Sequence, residues 1–475
     1  MKKLVFVLLL FISGAALFAQ TFKKESTPVK NSYVMYLKPC DFGPAVEKIE
    51  VNLGRTVLFN SVNKEDFEVA AMSGALESFT QNSGIVKSIR PVKNAYISDG
   101  KGQPSEDTIS QFITLEFETD PYDKYTVPFN DSKLIKTDVF YNYRITNSKM
   151  GIFVKDRYDI VCPEASVFTE GSHLWRDSET ADTVTLNYNY YLPENKTEKI
   201  PLIVFFHGMG EAGEEACRSL LNIKSVNLAG NEIQQYFENG AAVLIPQCPT
   251  GWMEITDKDP FGNRLWVVVD IDGAVNTAVE KVTSPLTNLF SKLTGEKLSY
   301  TSTVKTPVSY YSAPVKELID NFIEENPQID TERIYIGGCS AGGYMTVNMM
   351  IHYSDFFAAA FPICEAFPDN RISDSDMKKL SQKPLWFTVS LDDETINPQK
   401  NTLPTVERLK NLEAPELHYV YYEHVTDTTG QYKNEKGDGP FMYDGHYSWV
   451  YVLNNHVEDK GLKLFDWLSR QRNCN

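Results

Sequence analysis

One stretch, "RIYIGGCSAGGYMTVNMM" from Arg333 to Met350, constrains the fold more than any other. "RIYI" reads as a buried strand, and "AGGYMTVNMMI" reads as a helix. Between them lies Gly338-Cys339-Ser340-Ala341-Gly342, a G-x-S-x-G arrangement. Where a strand runs straight into a helix, the backbones approach too closely for side chains, and glycine is required. Ser340 then sits on the turn with its hydroxyl exposed, and the helix N-terminus behind it favours negative charge nearby. The bare motif is a weak signal; the strand before it and the helix after it give it weight.

That arrangement needs a sheet around it, and the chain from about Ser166 onward supplies one. "VTLNYNYYL", "PLIVFF", "AAVLIP", "RIYIGG", "AAAFPI", "PLWFTVSL" and "LHYVYYEH" read as strands, several of them continuously apolar as in sheets covered on both faces. Helical runs lie between them. In "SAPVKELIDNFIEEN", Val315, Leu318, Ile319, Phe322 and Ile323 share one face, Ser312 is placed to cap the start, and Pro327 follows the end. "VEDKGLKLFDWLSRQR" also reads as helix. Strand–helix alternation predicts a mostly parallel sheet between helical layers over 166–475. The stretch 254–312 is long for one connection and reads as an insertion near the site mouth.

Residues 28–162 have a different pattern. Ile49, Val51 and Leu53 alternate with Lys48, Glu50 and Asn52, and Ile113, Leu115 and Phe117 alternate with Thr114, Glu116 and Glu118. Period-two alternation broken by turns such as "SDGKGQPSED" predicts a small β-sandwich of half-buried strands. It contains no catalytic constellation.

A serine hydroxyl needs a base, and the base needs an orienting acid. In a fold of this kind the chain order is Ser, acid, His. The strand "PLWFTVSL" ends in two aspartates; Asp393 is the preferred acid and Asp392 the alternative. Among the later histidines, His352 lies in the helix after the turn, His418 inside a strand, and His456 in the last helical run. His446, in "YDGHYSWVY", has Gly445 for a tight loop and Trp449 to anchor it, and is preferred over His424, which ends the last strand. The oxyanion hole needs two backbone N–H groups, predicted at Ala341 and, in "PLIVFFHGMGEAGEE", at Met209. His207 comes too early in the chain to be the base and reads as a brace for that loop. Trp252, Trp266 and Tyr344 are candidate substrate-binding aromatics. Cys339 and Cys364 read as packing residues. "DIDG" at Asp270–Gly273 lacks the rest of a calcium loop and reads as a turn. No metal or cofactor is expected.

Composition narrows the setting. The chain has 475 residues, 42% of them apolar, enough for two domains and a large core. Lys2 and Lys3, the apolar run Leu4–Ile12 and the small residues Ala15–Ala19 predict a cleavable export signal over 1–19, too short to span a membrane. Its removal takes two positive charges and moves the net charge from −17 to −19, which disfavours nucleic acid as a partner. The seven cysteines show no metal-site spacing; outside the cytoplasm some of them are open to oxidation.

Together these residues resemble the α/β-hydrolase superfamily, most closely secreted esterases of the polyhydroxybutyrate-depolymerase and feruloyl-esterase kind, which are in turn similar to prolyl-oligopeptidase-type catalytic domains. The resemblance rests on "LIVFFHGMGEAG", "LIPQCP", "RIYIGGCSAGGYMT", "AAAFPIC", Asp392-Asp393 and "GHYSW", and covers Thr183 to the C-terminus. Residues 28–162, with "CDFGPAVEKIEVNLG" and "FITLEFET", resemble the immunoglobulin-like domain that precedes some bacterial esterases. That resemblance implies a role in shaping the site entrance or in homo-oligomer formation. One departure follows "FPIC": Glu365-Ala366-Phe367 stand where relatives carry glycines, which marks Glu365 as part of an altered pocket wall. The expected reaction is acyl transfer to water on a small-molecule or polysaccharide-linked ester, losing activity on acidification with a midpoint at about 6.5. A serine peptidase and an inactive glycan-binding or adhesion protein are the alternatives.

Overall fold

The computed structural model describes residues 30–73, 85–122, 129–130, 135–136, 142–194, 198–214, 216–258, 264–267 and 306–473. The expected export signal, the Asp270–Gly273 turn, Cys474 and most of the expected insertion lie outside them.

The N-terminal part is all β. One sheet has five strands in the order Asp156–Val161, Ser32–Cys40, Gly43–Leu58, Ile109–Glu116, Asn94–Ser98. The other has four, in the order Ile152–Val154, Asn142–Asn147, Glu68–Ser73, Ile85–Arg90. Tyr33, Met35, Ile49, Val51, Ile113 and Leu115 of the first sheet meet Val69, Ala71, Tyr143 and Ile145 of the second in one core. The alternation therefore marks the inward face as read. The other face is not simply solvated, however. Glu50 is 2% exposed, and its Oε1 accepts from the Ser98 hydroxyl at 2.6 Å and from the backbone N–H groups of Gly100 and Gly102 at 3.1 and 2.9 Å. The turn "SDGKG" folds back over it, and these donors replace the water the carboxylate loses.

The second part is an eight-stranded sheet. Numbered along the chain, its strands are Thr169–Arg176, Thr183–Tyr191, Ile200–Phe206, Ala242–Gln247, Ile329–Cys339, Ala359–Ile363, Leu385–Ser390 and Leu417–Tyr422. In space they run 1-2-4-3-5-6-7-8. The first two join antiparallel, and all pairs from Ala242–Gln247 onward are parallel. Along Ile200–Phe206, Leu202, Val204 and Phe206 enter one hydrophobic cluster, while Ile203 and Phe205 enter the other. Both faces are thus buried, as the unbroken apolar run requires.

Three local expectations are corrected. Ser312 is the first residue of helix Ser312–Glu325 rather than its cap, and its hydroxyl donates to Asn348 Oδ1 at 2.7 Å. The C-terminal run is helical only over Leu464–Ser469; before it, Glu458–Asp459 and Leu462–Lys463 pair across a turn in which Lys460 and Gly461 have φ of 52° and 83°. The edge strand Thr169–Arg176 has no counterpart in the sequence reading, because only Trp175 in it is buried and no apolar period is left to read.

The two parts pack through a polar knot in an apolar surround. Asp41 is 5% exposed and accepts from Lys224 Nζ at 3.1 Å and Asn454 Nδ2 at 3.0 Å. Beside it, Phe42 packs edge-on against Tyr432, whose hydroxyl lies 3.0 Å from Thr119 Oγ1. Removing the Asp41 carboxylate takes a charged acceptor from two partly buried donors, leaving Lys224 only Asn454 Oδ1 and Asn454 only Thr428 Oγ1. Asp41→Ala should therefore destabilise the protein by about 2 kcal/mol, read as a lower urea midpoint at unchanged slope; an unchanged midpoint would reject the interface.

Candidate active site

Ser340 sits at the tip of strand Ile329–Cys339, directly before helix Ala341–His352. Its φ is 58° and its ψ −120°, a conformation that L-residues hold only under constraint. The constraint is close packing. A Cβ on Gly338 would lie 2.6 Å from the Phe206 and Gly342 carbonyl oxygens, and one on Gly342 would lie 2.0 Å from the Phe206 oxygen. A Cβ on Gly343 would meet Glu365 Cα at 2.7 Å. Backbone bonds hold the turn: Ser340 N–H donates to Ile363 O at 3.0 Å, and the Ser340 carbonyl accepts from Tyr344 and Ala366 N–H. The Ser340 side chain is partly exposed, whereas its neighbours on both sides are buried.

The preferred acid and base meet. His446 Nδ1 lies 2.8 Å from Asp393 Oδ2, and these side chains are 6% and 0% exposed. The other Asp393 oxygen accepts from the N–H groups of Thr395 and Ile396 at 2.9 and 2.8 Å, which leaves Oδ2 for the imidazole. Asp444 Oδ1 accepts from His446 N–H at 2.8 Å, and Trp449 packs edge-on against the ring at 5.5 Å. Burial pushes the His446 imidazole down, but the Asp393 charge and hydrogen bond outweigh it and leave the pKa above the usual histidine value. The alternatives pair with each other: His424 Nδ1 lies 2.7 Å from Asp392 Oδ2, and His424 is 54% exposed. His418 is tied to Asp459 at 2.8 Å and stacked on Trp386; His352 faces Pro307 O at 3.4 Å.

The loop after Phe206 runs beside the turn. A Cβ on Gly208 would lie 3.6 Å from Ser340 Cβ, so the glycine keeps the approach to the hydroxyl open. Met209 opens the short helical turn Met209–Glu211, and its N–H, like that of Ala341, makes no backbone hydrogen bond among the described residues. His207 is fully buried. Its Nε2 accepts from Cys248 N–H at 2.9 Å, so Nδ1 carries the proton and donates to Gly208 O at 2.7 Å. Burial pushes its pKa down, which keeps it a neutral brace.

Three expected substrate contacts are corrected. Trp252 is 0% exposed: its indole N–H donates to His207 O at 3.0 Å, so it holds the loop from behind. Tyr344 is 0% exposed and stacks on Phe367 at 4.6 Å. Glu365 is 1% exposed and turned inward; Oε2 accepts from Phe367 N–H at 2.6 Å and Oε1 from Thr402 Oγ1 at 3.1 Å. Burial pushes its carboxyl well up. The Trp266 side chain lies outside the described set.

Cys364 adjoins the acid–base pair, a neighbour that sequence spacing does not reveal. Its Sγ, an Asp393 oxygen and a His446 nitrogen lie within 4.8 Å of one another. The trio has the donor types of a metal site, but the carboxylate and imidazole already satisfy each other, and burial pushes the thiol well up. Among the described residues no disulfide joins the six cysteines. A polar cavity of about 510 Å³, walled by Asn187, Gln247, Thr250, Glu254, Arg264 and Tyr310, includes none of Ser340, Asp393 and His446 in its lining. No helix of the described residues is long and apolar enough to cross a membrane.

Gly342→Ala should be severe, because the clash falls on backbone rather than on a flexible side chain. We expect a loss of about 3 kcal/mol or failure to fold, measured by denaturant unfolding; a variant of unchanged stability would refute the close approach.

Residues 32–185 match the model of the esterase Ig-like N-terminal domain, and residues 315–418 match that of the prolyl oligopeptidase family. A solved structure of a thermostable esterase superposes with a TM-score of 0.62 at 20% identity, covering 93% of this chain and 99% of that one. An acylaminoacyl peptidase superposes over 60% of this chain and 41% of its own at 17% identity, with a TM-score of 0.33. A poly(3-hydroxyalkanoate) depolymerase from Paucimonas lemoignei is 45% identical over 49 residues, 10% of this chain and 12% of that protein. The sheet order and the superposition on the thermostable esterase give the second part the α/β-hydrolase fold, and residues 32–185 before it match the esterase Ig-like N-terminal domain.

Proposed function

We propose that the chain is a serine ester hydrolase in which Ser340, His446 and Asp393 carry out acyl transfer to water. The observation that carries this reading is the pairing of a buried Asp393–His446 couple with a serine held at φ 58° in one fold. His446 takes the Ser340 proton as the hydroxyl attacks the ester carbonyl, and Asp393 stabilises the imidazolium that results. The N–H groups of Met209 and Ala341 receive the oxyanion, a contribution of a few kcal/mol. The imidazolium then protonates the leaving alcohol, and a water activated by the same base releases the acid. The substrate is an acyl or phenolic ester, including one linked to carbohydrate, and the leader over 1–19 would deliver the enzyme out of the cytoplasm.

The match of residues 315–418 to the prolyl oligopeptidase family keeps peptide amides as the second reading. Purified protein assayed on p-nitrophenyl acyl esters, feruloyl esters and peptide anilides separates the two. Turnover of anilides alone would overturn the ester assignment, and turnover of none would favour a non-catalytic binding role.

Ser340→Ala should lose at least about a thousandfold in kcat with an unchanged circular dichroism spectrum, and a fluorophosphonate should label Ser340 in the wild type. An adduct mapped to another serine would remove Ser340 from the mechanism.

The pH profile has a definite sign. The base acts as neutral imidazole, and Asp393 holds its pKa above the ordinary value. Activity should therefore rise with pH through a midpoint above about 6.5, higher than composition and motif alone suggest. Asp393→Asn should move that midpoint down; a midpoint left in place would show that Asp393 does not govern the base.

A further inference from the structure

We propose that the second acid–histidine pair, Asp392–His424, is a positioning device for the loop that carries His446. The inference rests on the hydrolase reading above and adds two positioning residues to it. Asp392 and Asp393 follow the same strand and point to opposite sides of it: Asp393 faces inward to His446, and Asp392 faces outward to His424. The Asp392 carboxylate is fixed at both oxygens. Oδ1 accepts from the Ser390 hydroxyl, and Oδ2 faces His424 Nδ1 at 2.7 Å.

On this fixed carboxylate rests the residue just before His446. A Cβ at Gly445 would lie 2.4 Å from Asp392 Oδ1 and 2.5 Å from the Asp392 carbonyl oxygen. Any shift of the Asp392 side chain is thus passed to the Gly445 backbone. The far side of the frame is closed as well. Tyr451, in the helix that follows the loop, donates its hydroxyl to His424 O at 3.0 Å and accepts there from Thr426 N–H at 3.0 Å. Its ring stacks on Tyr422 at 3.9 Å. The segment 445–447 is therefore gripped between Asp392 below and the Tyr451 helix beyond, with His424 bonded to both. His424 itself is half exposed and pairs with Asp392, outside the buried Asp393–His446 couple.

Catalytic geometry tolerates little displacement; an error of about 1 Å can lower a rate by about a hundredfold. His424→Ala should lower kcat about tenfold on the best ester, with KM changed less than about twofold. His424→Asn, which retains an N–H near the Nδ1 position, should recover most of the loss. Unaltered kcat in His424→Ala, a defect in KM alone, or an Asn variant no better than Ala would overturn the proposal. A second readout needs no substrate: the His446 Nδ1 proton resonance of 15N-histidine-labelled protein should move in His424→Ala and return in His424→Asn. A resonance that stays in place overturns the strut. A resonance that moves in a protein that turns over no ester and takes no phosphonate at Ser340 leaves the strut standing and rejects the hydrolase reading instead.

Discussion

The site depends on one backbone constraint, the positive φ of Ser340. A strand ends and a helix begins within one residue, so the turn has room for no side chain except the one it presents. The carbonyl of Phe206 occupies the space where a Cβ of Gly338 or Gly342 would stand. This binds the turn to its parallel neighbour, and hence to the loop at His207–Glu211 that follows that neighbour. Loop and turn therefore cannot move separately. The buried, neutral His207 and the Trp252 indole bonded to its carbonyl hold the loop from behind. An array of backbone N–H groups stabilises a developing charge only if it does not have to reorganise, and this packing supplies that rigidity.

The acid–base pair is delivered from the other end of the sheet, and its support reaches into the N-terminal domain. The run from Val425 to Tyr443 folds back on itself: Asp427 N–H donates to Phe441 O, Tyr443 N–H to Val425 O, and Phe441 N–H to Tyr432 O. Phe42, Cys40 and Thr119 of the β-sandwich meet Tyr432, and Tyr122 packs edge-on against Phe441. The sandwich is thus a wall for the segment that leads into His446. Bonds of this kind, individually worth about 1 kcal/mol, matter here because they all restrict one loop.

Much of this was readable from the residues. All seven strand-like runs of the second part fall inside one mixed sheet with Ile329–Cys339 near its centre, because strands buried on both faces leave unbroken apolar runs. The Asp393–His446 pairing and the tight turn at Ser340 were legible because the proposed chemistry demands those residue types in that order on turns and loops. The aromatics were misjudged for a physical reason. Trp252 and Tyr344 flank the motifs in sequence, but flanking a turn this tight means being packed beneath it. Glu365 read as a wall of the pocket, whereas its carboxylate is satisfied internally by Phe367 and Thr402. Burial of a polar group depends on partners far along the chain, here 37 residues away for Thr402, and no local pattern encodes that.

The two aspartates show the same limit at its sharpest. Just past the strand end the two adjacent aspartates still point to opposite sides, Asp393 inward and Asp392 outward; the strand alone does not say which faces the core. What decides is the next turn. Thr395 and Ile396 point their N–H groups back at Asp393, and the pair of donors makes its buried carboxylate tolerable without a cation. Asp392 uses the Ser390 hydroxyl and the His424 ring, with its own backbone N–H beside them, in a position where partial exposure lightens the desolvation. One carboxylate is thereby left acceptor-rich and dry beside a buried imidazole, the arrangement that raises the basicity of that imidazole. The other is left wet beside an exposed one. The difference between a catalytic acid and a structural one, on this reading, lies in two backbone N–H groups rather than in the identity of the side chain.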